Sequence, residues 1–399
     1  MLSRKHLRIA AVVLGLSLVA AACGDDDDDA GGTDTTAGGG ERTQLALAWV
    51  GPLTGDYANL GIFSRDGAKV AIEQFNETNE DYEIELKEFD TQGDPAQAPT
   101  QLDRYINDES VVGVIGPTFS GETNAVLPTL QEEGLVMVSP SATNVDLPSA
   151  VPADGVFHRI LPDDNAQSEG LVKYMSSVLE VDTVGIVHDN SDYGKGLAVD
   201  QLAPKLTDAG IEVVATEAID PESQDFSSAV NAMDQAAPDV VFFGGYYEAA
   251  GRLKKQLSDA EVDAQYVSAD GSLDVGFVEA AAGTADGALL SCPCYFASTA
   301  APGEIGEFAA QYEERIGNAP GTYSTEGFDA TNILLRGIVA GNTDRASLLE
   351  YVEGLRDVPE AISKEVVFTE EGNIESQGIF VFKVENGEIV LDTATADIE

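Results

Sequence analysis

The stretch "VVGVIGPTFSGETNAVLPTLQEEGLVMVSPSATN" (residues 111–144) decides the fold. It opens on a continuous apolar run, the composition of a strand covered on both faces. A Gly/Pro/Ser loop follows, then apolar residues at helical spacing, then a second apolar run, LVMVSP. Parallel neighbours need a crossover long enough to hold a helix, so strand, loop, helix and strand in this order predict a parallel sheet.

The same theme continues on both sides. Upstream, "LALAWVGPLTGDYANLGIFSRDGAKVAIEQFNE" (45–77) reads as strand, loop and a helix over 65–75, followed by strand 82–90 and helix 97–109. Beyond a polar bridge at 161–165 a second series begins. Helices are expected at 166–180, 193–210, 225–236 and 249–260, and strands at 183–189, 211–219, 238–246 and 264–270. Helical patterns at 306–317 and 327–341 precede a hairpin signalled by Asn386-Gly387 within 378–394. Two such series predict an α/β protein of two Rossmann-like lobes with parallel-type sheets.

The amino terminus has a different composition. Arg4, Lys5 and Arg8 precede an apolar run over 9–22, then Cys23 and five aspartates. A basic patch, a short apolar stretch and small residues before a cleavage point are the layout of a secretory signal. A run of about 14 residues is shorter than the roughly 20 that span a bilayer. The stretch VAAAC resembles a bacterial lipobox, in which the cysteine becomes the lipidated terminus; the usual Leu three places before it is Ala20 here. Residues 25–40 hold only Asp, Gly, Thr and Ala, which cannot bury apolar surface and suit a flexible tether.

The 399-residue chain has 21 Lys+Arg against 70 Asp+Glu, a formal charge of −49, which excludes nucleic acid and anionic lipid surfaces as partners. Besides Cys23 there are only Cys292 and Cys294, read as either a disulfide or two buried thiols. Phosphate-loop, dinucleotide, zinc-protease and nucleophile-elbow motifs are all missing, so no cofactor or metal is expected. His188-Asp189 at a strand end leaves a hydrolase as a remote alternative, with no activated nucleophile beside it.

Parallel sheets bind ligands beyond the carboxyl ends of their strands, so those loops carry the candidate residues. Ser120 and Gly121 are read as preceding a helix over 122–130, whose amino terminus suits a carboxylate. Thr143 offers a hydroxyl on the neighbouring loop. Asp270, in SADGS, suits an ammonium. Tyr57, Tyr193 and Tyr246 sit in strand-end loops and could line a side-chain pocket.

The loops VGPLTGDYANLG, VIGPTFSGET, VSPSATN, IVHDNSDYGKGLA and GGYYEAAGRLKKQ, in this order, resemble those of the bacterial leucine/isoleucine/valine-binding proteins, substrate-binding proteins of ABC importers. The resemblance implies a non-enzymatic, monomeric receptor held outside the cell membrane by lipidated Cys23, delivering an amino acid, branched-chain or otherwise aliphatic, to a permease. It places Ser120 and Thr143 at the ligand carboxylate, Thr143 and the Ser141 backbone near the ammonium, Ala142 between them in the ligand site, and Asp270 on the ammonium. Tyr193 and Tyr246 close over the ligand; Leu60 stands where some members have a tyrosine, and Phe119 and Tyr323 fall in pocket-lining regions. It further implies a signal peptide at 1–22, a tether at 23–43, a first lobe of 44–162 plus 293–368 and a second of 163–292 plus 369–399, joined by three hinge crossings. A sensor, or a binder of amides, urea or aromatic acids, would use the same fold.

Overall fold

A computed structural model describes residues 42–152, 155–358, 361–376 and 378–398. The expected signal peptide, Cys23 and all but the last residues of the tether lie outside these described residues.

The first sheet is formed by β1 (Thr43–Gly51), β2 (Tyr82–Asp90), β3 (Val111–Ile115), β4 (Met137–Ser139) and β5 (Phe157–Arg159). Between them run α1 (Ala58–Thr78), α2 (Ala98–Ile106) and α3 (Ser120–Glu132). All neighbours are parallel, in the order β2-β1-β3-β4-β5. Every residue of β3 is buried, as its unbroken apolar run requires when helices cover both faces. The helix expected over 65–75 starts seven residues earlier, in the Tyr57 loop. That expected over 122–130 also starts earlier: Ser120 is its first helical residue and Phe119 its N-cap. Glu122 causes the shift, because its carboxylate reaches back to accept from Phe119 N–H at 2.8 Å and fixes the first turn.

The chain then enters the second sheet through α4 (Asp164–Ser177), and continues as β6 (Thr183–His188), α5 (Ala203–Asp208), β7 (Glu212–Ala218), α6 (Ser227–Ala236), β8 (Val240–Gly244), α7 (Tyr247–Asp259), β9 (Gln265–Ser268), α8 (Val275–Ala280) and β10 (Leu289–Cys292). The run expected as one helix over 193–210 is divided: a wide π-type turn over Gly196–Leu202 leads into α5. Next come α9 (Glu304–Ile316), α10 (Ser324–Val339) and α11 (Arg345–Gly354), which return to the first sheet, where Ile333, Leu334 and Leu348 share a core with Leu47 and Ile115. A small antiparallel pair, β11 (Asp357–Val358) and β12 (Val366–Val367), follows. The chain crosses a third time to place the hairpin β13 (Phe380–Glu385) and β14 (Glu388–Ala394) beside β10. Asn386 and Gly387 both have positive φ, 54° and 79°, as the two-residue turn demands.

The second sheet runs β14-β13-β10-β9-β8-β6-β7. Its parallel part repeats the connectivity of the first, β7-β6-β8-β9-β10 against β2-β1-β3-β4-β5. Each sheet therefore reverses winding once, between β1 and β3 and between β6 and β8, and the crevice at such a reversal is where open α/β sheets hold ligands. Cys292 and Cys294 form a buried disulfide where β10 ends and the chain leaves for α9, settling the two readings left open by the sequence. No helix among the described residues is long and apolar enough to cross a membrane.

Candidate functional site

Each sequence-predicted site residue lies beyond the carboxyl end of a strand or on an element packed there. Tyr57 and Leu60 follow β1, Phe119 and Ser120 follow β3, and Ser141, Ala142 and Thr143 follow β4. Tyr193 follows β6, Tyr246 follows β8 and Asp270 follows β9. Tyr323 arrives from the far side, at the N-cap of α10. The two sets meet, since Leu60, Phe119 and Tyr323 join a buried cluster most of whose other members belong to the second sheet and its helices.

Asp270 is the junction. Its carboxylate is buried and accepts from Tyr193 OH at 2.7 Å and from Tyr323 OH at 2.6 Å, one hydroxyl from each side of the crevice. Tyr323 holds a left-handed backbone, φ 68°, to deliver that hydroxyl; for a residue with a Cβ this costs on the order of 1 kcal/mol. Burial pushes the Asp270 pKa up, and the Tyr323 and Tyr193 hydroxyls draw it part of the way back.

Ser120, at the start of α3, and Thr143, on the loop after β4, lie in neighbouring segments held by bonds between side-chain hydroxyls and the backbone. Ser120 Oγ accepts from Asn144 N–H at 3.2 Å, Ser141 Oγ donates to Thr118 O at 2.5 Å, and Ala142 N–H donates to Ser139 Oγ at 3.0 Å. Arg159, fully buried at the end of β5, underpins this loop by donating from Nη1 to Ala142 O (3.1 Å) and Asn144 O (2.8 Å). Burial lowers its pKa to about 10, which leaves it cationic at neutral pH.

Asp164, which the sequence reading missed, is the most conspicuous group here. It is fully buried in the first turn of α4, and neither carboxylate oxygen has a hydrogen-bond partner among the described residues. Thr143 Oγ1, Gln167 Oε1 and Ser168 Oγ are buried and unpartnered too. Thr143 is close enough to the Asp164 carboxylate to lower its pKa, but does not reach hydrogen-bond geometry. Burial nevertheless drives that pKa well above the usual carboxylate range, and the Asp270 charge adds to the rise. Asp164, Gln167 and Ser168 stand at i, i+3 and i+4, one face of a helix. That face continues as buried Leu171 and Met175. Polar residues occupying the first turn of an otherwise apolar stripe were the available signal.

Aromatic rings close the other end. Tyr246 lies between two rings from the opposite side, 4.7 Å from Tyr57 and 4.5 Å from Phe119 between centroids, with Tyr193 at 5.3 Å. Gly93, at φ 75°, lets the chain pass beneath them, for a Cβ there would come within 3.0 Å of the Phe119 ring and 3.1 Å of Tyr57. Around the rings the two lobes are bonded directly. Asn59 Nδ2 donates to Asp274 Oδ1 at 2.8 Å, Asn124 Nδ2 to Asp192 Oδ2 at 3.0 Å and Asn144 Nδ2 to Asp192 O at 2.7 Å; Thr322 Oγ1 also donates to Leu273 O. Gly196 admits this closure, since a Cβ would fall 2.7 Å from Asn144 Nδ2.

A polar cavity of about 210 Å³ opens at the cleft mouth, lined by Ser120, Asn144, Asp192 and Lys195 among others. A larger one of about 510 Å³, between α1, α9 and α10, contains none of the candidate residues and lies away from both strand reversals. His188 is engaged structurally, its Nδ1 accepting from Asn190 N–H at 3.1 Å.

Two similar α/β lobes with a shared, desolvated site between their strand ends define a closing solute-binding protein. The family described as periplasmic binding protein matches residues 44–388, and the chain belongs to it, within the type I, branched-chain amino-acid-binding group. It is 29% identical over 350 residues to the Leu/Ile/Val-binding protein BraC3 of Rhizobium johnstonii, covering 87% of this chain and 93% of that one. It is 26% identical over 343 residues to the leucine-, isoleucine-, valine-, threonine- and alanine-binding protein of Pseudomonas aeruginosa, covering 85% and 89%. The fold is similar to that of a leucine-binding protein from Thermotoga maritima, with a TM-score of 0.80 at 24% identity over 88% of this chain and 98% of that one.

Proposed function

We propose that this chain is an extracytoplasmic receptor that captures an aliphatic amino acid between its lobes and delivers it to the permease of an ABC importer. The observation that carries the reading is the set of buried acceptors without partners among the described residues, the Asp164 carboxylate above all, near enough to Asp270 for that charge to raise its pKa further. An unpaired buried carboxylate is among the costliest groups a fold can hold, and an ammonium with three N–H donors is the group that satisfies it. The names of the Rhizobium and Pseudomonas relatives point to the same ligand class.

In this reading the ammonium lies between Asp270 and Asp164. The ligand carboxylate takes the Ser120 and Thr143 hydroxyls and the amino terminus of α3, with the Ser141 backbone near the ammonium and Ala142 next to it. Burial raises the Glu122 pKa to about 7, so its charge at that helix end is partly neutralised at neutral pH. Tyr193 and Tyr246 close from the second lobe, and Tyr57, Leu60, Phe119 and Tyr323 complete the wall. The first lobe comprises residues 44–162 and 293–368 and the second 163–292 and 369–399. The 369–374 turn stays bonded to the first lobe's edge through Arg159 N–H to Gly372 O at 2.9 Å. The receptor acts as a monomer and catalyses nothing.

A signal peptide over 1–22 and lipidation at Cys23 would hold it to the outer face of the cell membrane, with the acidic tether giving reach. The Cys23→Ser protein should then leave the membrane fraction of expressing cells; retention there would remove the anchor. For the site, thermal melting with a panel of amino acids and amides is the test. A bound ligand at 100 times its Kd adds about 2.7 kcal/mol and raises Tm accordingly. If neither an amino acid nor an amide raises it, the proposed function is wrong.

A further inference from the structure

We infer that the receptor selects small side chains, those of glycine, alanine and serine, over leucine and isoleucine, because its side-chain compartment is shut by rings that meet across the crevice. The inference rests on the amino-acid reading above and narrows it. With the ligand carboxylate at Ser120 and the ammonium at Asp270, the Cα substituent meets the rings directly: Phe119 immediately precedes Ser120, and Tyr193, bonded to Asp270, lies 5.3 Å from Tyr246.

Tyr57 and Phe119 come from the first lobe and Tyr246 from the second. Their contacts, at 4.7 and 4.5 Å between centroids, are thus contacts of closure. Carbon atoms pack at about 3.5–4 Å, so an aliphatic group inserted between two rings needs about 7 Å between them. A leucine side chain reaching that space must hold the rings, and hence the lobes, some 2–3 Å further apart by the same packing distance.

The interlobe bonds have no such slack. Asn59, two residues after Tyr57, bonds Asp274 at 2.8 Å, and Asp192, beside Tyr193, accepts from Asn124 at 3.0 Å and Asn144 at 2.7 Å. Stretching any of them by 2 Å, on the order of the displacement needed, destroys it. A branched side chain therefore competes with closure, whereas a hydrogen, a methyl or a hydroxymethyl can stay clear of the ring stack.

The experiment is calorimetric titration of the intact protein with glycine, L-alanine, L-serine, L-leucine and L-isoleucine, repeated on Phe119→Ala and Tyr57→Ala, with each variant's folding checked by melting. The intact protein should bind at least one small ligand about 10-fold or more tighter than leucine, the scale of steric discrimination by a few methylenes. At least one ring deletion should move that ratio toward leucine by about 10-fold. Leucine or isoleucine binding the intact protein as tightly as the best small ligand overturns the size selection and leaves the amino-acid reading standing. Unchanged ratios in both folded variants also overturn it. Binding of none of the five removes the amino-acid reading itself.

Discussion

At the start of α3, the buried Glu122 carboxylate accepts from Phe119 N–H and Thr91 Oγ1; at the start of α4, the equally buried Asp164 carboxylate has no partner among the described residues. Burial raises both pKa values, to about 7 for Glu122 and well above the usual range for Asp164. The same physical penalty is met in one place by hydrogen bonds from the fold and in the other by no hydrogen bond among the described residues. A satisfied carboxylate is a structural device, setting the helix start and the position of Phe119 and Ser120. An unsatisfied one is a standing cost to folding, and a ligand that removes the cost gains affinity from it.

Asp270 combines both behaviours and gives the largest expected effect. It accepts from the Tyr193 and Tyr323 hydroxyls, and in the proposed complex it faces the ammonium. Asp270→Ala should weaken amino-acid binding by about 100-fold or more, the scale for truncating one partner of a desolvated charge pair. It should also lower stability, by about 1–3 kcal/mol, because two buried hydroxyls lose their acceptor. Affinity within a factor of two of wild type, measured by calorimetry, would place the ammonium elsewhere.

The division between strand-end loops and hidden polar stripe also explains what the sequence could show. Val111–Ile115 and Val240–Gly244 announce themselves because a strand buried on both faces must be apolar throughout. Once the strands are placed, Ser120, Thr143, Tyr193, Tyr246 and Asp270 follow from the rule that ligands bind beyond their carboxyl ends. β5 is only three residues long, and its His158 and Arg159 give no apolar run; Arg159 is buried because it bonds two loop carbonyls. With β5 unseen, 161–165 reads as a polar bridge. The adjacent aspartates there are the same by type, yet Asp163 caps α4 by accepting from Ala166 N–H at 3.0 Å while the Asp164 carboxylate is buried with no partner among the described residues. The meeting of Tyr57 and Phe119 with Tyr246 is likewise invisible in sequence, since it depends on how the two lobes come together.

The most direct test pairs melting with calorimetry on Asp164→Asn, with Glu122→Ala as the contrasting variant. A neutral amide removes the buried-charge penalty of Asp164 but also its attraction for an ammonium. The expected result is a ligand-free Tm at or above wild type with amino-acid affinity reduced about 10- to 100-fold, whereas Glu122→Ala melts lower by about 1–3 kcal/mol of lost stability. An Asp164→Asn protein that melts below wild type and binds the amino acid as tightly would contradict the claim that this carboxylate is kept for the ligand.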